Sequence, residues 1–487
     1  MRRTLSLIVA LAACLPLAGR ADPFGHEWCV YPAESFEILS DLKPRQIRRL
    51  ATELEIFRQT AARFIPGAGA ANLPIRIVVF RDRDDFRETM NSPTFGGFMQ
   101  PSLRGATLVL GPQGENRLLH TTARHEYSHY LLRNRIEVSF PVWYDEGLAS
   151  FLSTMSTRRR SVLVGEAPAR HLNARLQRAA VSLEELIEAK NVYTWERGKL
   201  NDFYTGAWTV VHYLTLGHLV GFQDRREQLN RYLSEVVTPF QAVMDLPYDQ
   251  LQTELLTYTD RRKLPTIALP RPEIAESSAE VSCLTEDERD YELALAMIKK
   301  RPENALSIFA DLQRKHPDDV RHLVGLAAAS AELNRPAEAE GYAAAAVKLA
   351  PDEPGAQIEY GIRLIRGCIM VRALDCDERW QKAVTLFRSG VRADPERFDA
   401  VMGLGLSYLH SGRPGDALNY LKIAYQKAPW APHLNFYLGE TYRLIGDPRA
   451  RRHLLNARNW TDQDLWRRLA TAALEQIDEA TGEQIAW

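Results

Sequence analysis

The chain has 487 residues, with 61 Lys and Arg against 62 Asp and Glu, giving a net charge of −1 at neutral pH. That balance argues against nucleic acid or an anionic membrane surface as the partner. The length is enough for two or three domains with cores of their own. After the first 21 residues, no segment approaches the ~20 consecutive apolar residues that cross a bilayer.

Met1-Arg2-Arg3 and the apolar run Thr4 to Ala18, closed by Gly19-Arg20-Ala21, read as a signal peptide over residues 1–21. The expected location is therefore periplasmic or secreted. Leu11-Ala12-Ala13-Cys14 also fits a lipobox, so the alternative is an outer-membrane lipoprotein anchored at Cys14. Ile47 to Phe64 has Leu50, Leu54, Phe57 and Ala61 at helical spacing. Ile75 to Phe80 reads as a strand, Asp82 to Met90 as a short helix, and Ala106 to Leu110 as a second strand. Gly96 to Leu110 is the expected sheet edge against which an extended peptide would pair.

His125-Glu126-Tyr127-Ser128-His129 follows. Positions i and i+4 share one face of a helix, so His125 and His129 can hold one ion, with Glu126 on the neighbouring edge. A catalytic zinc site takes three protein ligands and keeps one position open. The stretch Pro141-Val142-Trp143-Tyr144-Asp145-Glu146-Gly147-Leu148-Ala149 offers Glu146 as the third ligand. Asp145 competes, though it points about 100° away on the same helix. A metzincin would need Gly at position 132 and His at 135, where this chain has Leu132 and Arg135.

The HExxH set followed by W-x-x-E-G-x-A resembles the gluzincins, and more narrowly the peptidase-MA-like family, over roughly residues 45 to 240. The resemblance implies an α+β zincin-like metallopeptidase holding Zn2+ with His125, His129 and Glu146. Glu126 would be the general base. It also implies a tyrosine that donates to the oxyanion, and Tyr204, ahead of Val210, Val211 and Leu214, stands at the matching place. His212 is its rival. Thermolysin-type gluzincins carry Asp four residues after the ligand Glu to support a histidine; Ser150 stands there instead.

Residues 261–282, with Pro265, Pro270 and Pro272, have linker composition. Beyond them Pro317 and Pro351 lie 34 apart, as do Pro395 and Pro429, while the interval between the pairs is 34 plus a ten-residue insertion. Leu404, Gly405 and Tyr408 recur 34 later as Leu438, Gly439 and Tyr442. The period is that of the tetratricopeptide repeat, an all-α solenoid. The insertion is expected in the turn between two helices of the third unit. Four cysteines follow the signal, Cys29, Cys283, Cys368 and Cys376, read either as two pairs or as separate buried thiols.

The domain reading is a peptidase-like domain over 22–260, a linker over 261–282 and repeats over 283–480. The functional reading is an exported zinc peptidase acting on protein or peptide, with repeats that recruit substrate or partner proteins. The alternative is a repeat scaffold with a catalytically silent metallopeptidase-like domain. The two halves are expected to fold separately.

Overall fold

The structure is a computed structural model that describes residues 23–65, 75–92, 96–102, 105–112, 116–135, 138–168, 179–192, 194–234, 238–274, 279–371, 376–395, 397–461 and 463–481. The segment 1–21 expected to be a signal peptide, with Cys14, lies outside the described residues. An N-terminal α+β region precedes a long run of helices. Among the described residues no helix is long and apolar enough to cross a membrane.

The strands are β1 (Cys29–Pro32), β2 (Phe36–Ser40), β3 (Ile75–Val79), β4 (Gly97–Ser102) and β5 (Gly105–Leu110). Four short ones follow: β6 (Ser156–Thr157), β7 (Ser161–Val164), β8 (Ile267–Pro270) and β9 (Ser282–Cys283). Six form one sheet in the order β4-β5-β3-β2-β1-β9, and β6-β7-β8 form a second. β2, β3 and β5 run parallel, while β4 lies antiparallel to β5 at the edge. The first helices are α1 (Pro44–Ala61), α2 (Arg83–Met90), α3 (Asn116–Arg133) and α4 (Val142–Ser153). Asp82 caps α2, its carboxylate accepting from the amides of Asp84 and Asp85.

Alternate residues of a strand face opposite sides of a sheet. Ile38, Ile77, Val79, Leu108 and Leu110 share a buried cluster with Phe57 of α1 and Tyr127 of α3. Leu39, Val78, Phe80 and Val109 belong to a second cluster with Leu293, Met297 and Phe309. Those last three sit on the helices Glu286–Met297 and Pro302–Lys315. One face of the sheet is thus covered by its own domain, and the other by Phe86 and Met90 of α2 together with the start of the repeat array.

The expected linker, 261–282, instead carries β8, which pairs with β7, and ends in β9, which pairs with β1. Cys29 and Cys283 are register partners and are joined as a disulfide. At the far end of the array Trp430 meets Tyr130 at 6.0 Å between ring centroids, and Trp460 stacks on Phe140 at 6.2 Å. The boundaries at 260 and 283 therefore divide the sequence without dividing the core. The buried clusters draw on both halves, which argues against the expectation that the two fold separately.

Paired helices run from Pro302 to Thr481. Small residues let them approach: a Cβ on Gly325 would lie 2.6 Å from the Phe309 ring, and one on Gly439 would lie 2.8 Å from Leu454. The insertion does not sit in an overlong turn. It lengthens both helices, Pro354–Val371 and Cys376–Ala393, to 18 residues each, against 13 and 14 in the preceding pair. The Cys368–Cys376 disulfide bridges the two long helices.

A shared core predicts cooperative unfolding of the whole chain. Tryptophan emission and far-UV circular dichroism should report one coincident urea transition under non-reducing conditions; two resolved transitions would show independent halves. Met297→Ala, emptying a buried position between helix and sheet, should lower stability by ~2–5 kcal/mol.

Candidate metal centre

α3 and α4 meet at the site. Tyr127 and Tyr130 of α3 and Trp143, Leu148 and Phe151 of α4 are all buried, which fixes both helices by their apolar faces. Arg124 braces the start of the motif, donating to the Met155 carbonyl at 2.5 Å and to Glu53 of α1 at 3.3 Å. Tyr127, between the histidines, thus serves the core, while His125 and His129 meet Glu146 across the interhelical space and Glu126 lies within their electrostatic reach.

His125 Nε2 lies 3.3 Å from His129 Nε2, and each lies 3.4 Å from Glu146 Oε2. Three lone-pair atoms converge as a nearly equilateral triangle. A tetrahedral zinc with bonds of about 2.0–2.1 Å has ligand–ligand edges of about 3.3–3.4 Å. The donor set and its spacing fit that ion.

Asp145, expected as a competing ligand, plays a different part. Its Oδ1 accepts from His129 Nδ1 at 2.9 Å, and its Oδ2 accepts from Arg133 Nε at 3.0 Å. A carboxylate on the far nitrogen fixes the tautomer and ring plane of a ligand histidine. The support missing at Ser150 is thus supplied by Asp145. Adjacency to Glu146 and the placing of Arg133 four residues after His129 were the available signals.

Burial alone would raise Asp145, but Arg133 and His129 beside it outweigh burial and hold it below the ordinary carboxylate range. Burial likewise would lower His129, yet Asp145 and Glu146 prevail and push its pKa up to about 10. Glu126 is raised, because burial outweighs the pull of His125 and His129. That is the direction a general base working near neutral pH requires.

The helix Arg197–Leu216 forms the third wall. Tyr204 on it presents its ring edgewise to His125, with centroids 6.2 Å apart. Gly147 permits this approach: a Cβ there would lie 2.6 Å from the Ala207 carbonyl oxygen and 2.8 Å from Val211. His212, the expected rival of Tyr204, belongs to the core. Its Nδ1 accepts from the Tyr258 hydroxyl at 2.6 Å, its Nε2 donates to the Gly165 carbonyl at 2.9 Å, and burial lowers its pKa to about 4.

A second cluster, His26 with Asp41 and Asp85, has a cation of its own. His26 Nδ1 lies 3.2 Å from Asp41 and 3.5 Å from Asp85, and Arg81 Nη2 lies 3.2 Å from His26 Nε2. We assign it no ion.

The tetratricopeptide-repeat family model matches residues 299–354 and 371–447, breaking near the lengthened helix pair. No curated protein matches the chain. Among solved structures, a thermophilic TPR protein of Thermus thermophilus is 20% identical, with 39% of this chain and 99% of that one covered and a TM-score of 0.34. MamA residues 41 to the end from Desulfovibrio magneticus is 17% identical, covering 41% and 96% with a TM-score of 0.27. YrrB, a TPR protein described as having an unusual peptide-binding site, is 14% identical, covering 38% and 91% with a TM-score of 0.28. The chain carries tetratricopeptide repeats, an architecture suited to protein interaction.

Gly147→Ala should force α4 from the Arg197–Leu216 helix and cost ~1–3 kcal/mol by overpacking, measured by denaturant unfolding. Wild-type stability would show that the close approach carries no constraint.

Proposed function

We propose that the chain is an exported zinc peptidase with a zincin-like catalytic region, whose repeat array engages protein partners. The observation that carries this reading is the triangle of His125, His129 and Glu146 with Glu126 beside it. A zinc ion held there would supply a Lewis acid that polarises a carbonyl and acidifies a water. Glu126 accepts the proton of the attacking water and delivers it to the leaving amine. The Tyr204 hydroxyl donates to the developing oxyanion. β4, at the edge of the six-stranded sheet, offers its outer backbone groups to an extended substrate.

Export is supported by the two disulfides, which persist in oxidising compartments such as the periplasm. A second reading is favoured by the repeat match: an interaction scaffold whose metal domain is silent. Glu126 separates the two, since a structural site has no use for a base.

Purified protein should hold about one zinc per chain, and His125→Ala or His129→Ala should abolish it. Retention of zinc in both variants would sink the assignment. Asp145→Asn should weaken zinc by about 10–100-fold, and Glu146→Gln more. Glu126→Gln should keep zinc and lose most cleavage of a peptide library. Unchanged turnover would remove Glu126 as the base, and no cleavage by the zinc-loaded wild type would favour the scaffold.

A further inference from the structure

The turn between the two metal helices is held from the far end of the repeat array. Asn456 Nδ2 donates to the Val138 carbonyl at 2.8 Å, and Asn459 Nδ2 donates to the Phe140 carbonyl at 3.3 Å. Both asparagines are buried and lie on the helix Arg449–Asn459. Arg133 Nη1 donates to the Trp460 carbonyl at 3.3 Å while its other nitrogens hold Asp145. The Pro141 carbonyl then accepts from the amides of Tyr144 and Asp145, at 3.1 Å each, and so begins α4.

The chain of contacts is short. One helix end fixes the backbone just before α4 and the guanidinium that orients Asp145. Asp145 in turn orients His129, and Glu146 is its neighbour on α4. These repeat residues act on Arg133 and on the turn, one step removed from the ligand atoms. Generic interface packing would need only apolar contact, whereas here three donors and acceptors converge on the residues that set the angle between α3 and α4.

We infer that the helix Arg449–Asn459 near the end of the array, with Trp460, is a positioning element of the metal centre. It sets where Glu146 and Asp145 meet His129, so the array completes the site as well as presenting a binding surface. The metal part of this inference rests on the proposed zinc site.

The test uses the full chain. Asn456→Ala/Asn459→Ala, and Asn459→Ala alone in case the double variant does not fold, are compared with Met297→Ala, which loosens the opposite end of the array. Zinc affinity is read by chelator competition, and amide hydrogen exchange over Val142–Glu146 is read on metal-free protein. The asparagine variants should lose about tenfold or more in zinc affinity and exchange faster in that segment than in the rest of the core, with Met297→Ala matching wild type in zinc affinity and showing no such local excess. Wild-type zinc affinity in the asparagine variants, or an equal loss in Met297→Ala, overturns the inference and leaves the metal centre standing. A wild-type protein that binds no zinc overturns the metal centre itself and the inference with it.

Discussion

The constraint on which this molecule depends is a sheet that is apolar on both faces. β2, β3 and β5 place Ile38, Ile77, Val79 and Leu108 on one side and Leu39, Val78 and Val109 on the other. Exposing either set to water would forfeit roughly 1.5–3 kcal/mol for each large side chain. α1 and α3 cover one side, and α2 shares the other with helices more than 150 residues further along the chain. The β1–β9 pairing and the Cys29–Cys283 disulfide hold that cover in place.

Much of this was legible in the residues. The HExxH spacing placed two histidines on one helix face, the glutamate before Gly147 supplied the third arm, and the 34-residue period gave the repeats. What was hidden depends on contacts between distant segments. Ile75 to Phe80 is apolar at every position but Arg76, which signals a strand buried on both sides. Nothing local says what buries the second side. The prolines at 265, 270 and 272 read as linker, yet proline tolerates edge pairing, and β8 is such a strand. The ten extra residues near Cys368 gave no sign of extending helices, because helix length there is set by stacking against neighbouring repeats.

The site divides its labour by face. On α3, Tyr127 and Tyr130 anchor the helix while His125 and His129 turn to the interhelical space. On α4, Trp143 anchors and Glu146 turns inward. Gly147 does neither; it removes a side chain so that the helix bearing Tyr204 can come near. A motif of this kind is therefore a packing specification as much as a ligand set. That is why the glycine and the tryptophan carry as much structural meaning as the histidines.

The Arg133–Asp145 pair shows which term dominates there. Both groups are almost fully buried, and a buried ion pair seldom adds net stability; apolar replacements are often neutral or gain about 1–4 kcal/mol. Stability alone would therefore not account for the pair. Its geometry does: the Asp145 oxygen left over from Arg133 reaches His129 Nδ1, and the Arg133 nitrogen left over from Asp145 reaches the Trp460 carbonyl. An apolar pair of equal volume would preserve the packing of the helices but leave the His129 ring free to turn about its Cβ–Cγ bond. The buried charges are best understood as fixing an orientation, and the repeat array is one of the supports against which that orientation is fixed.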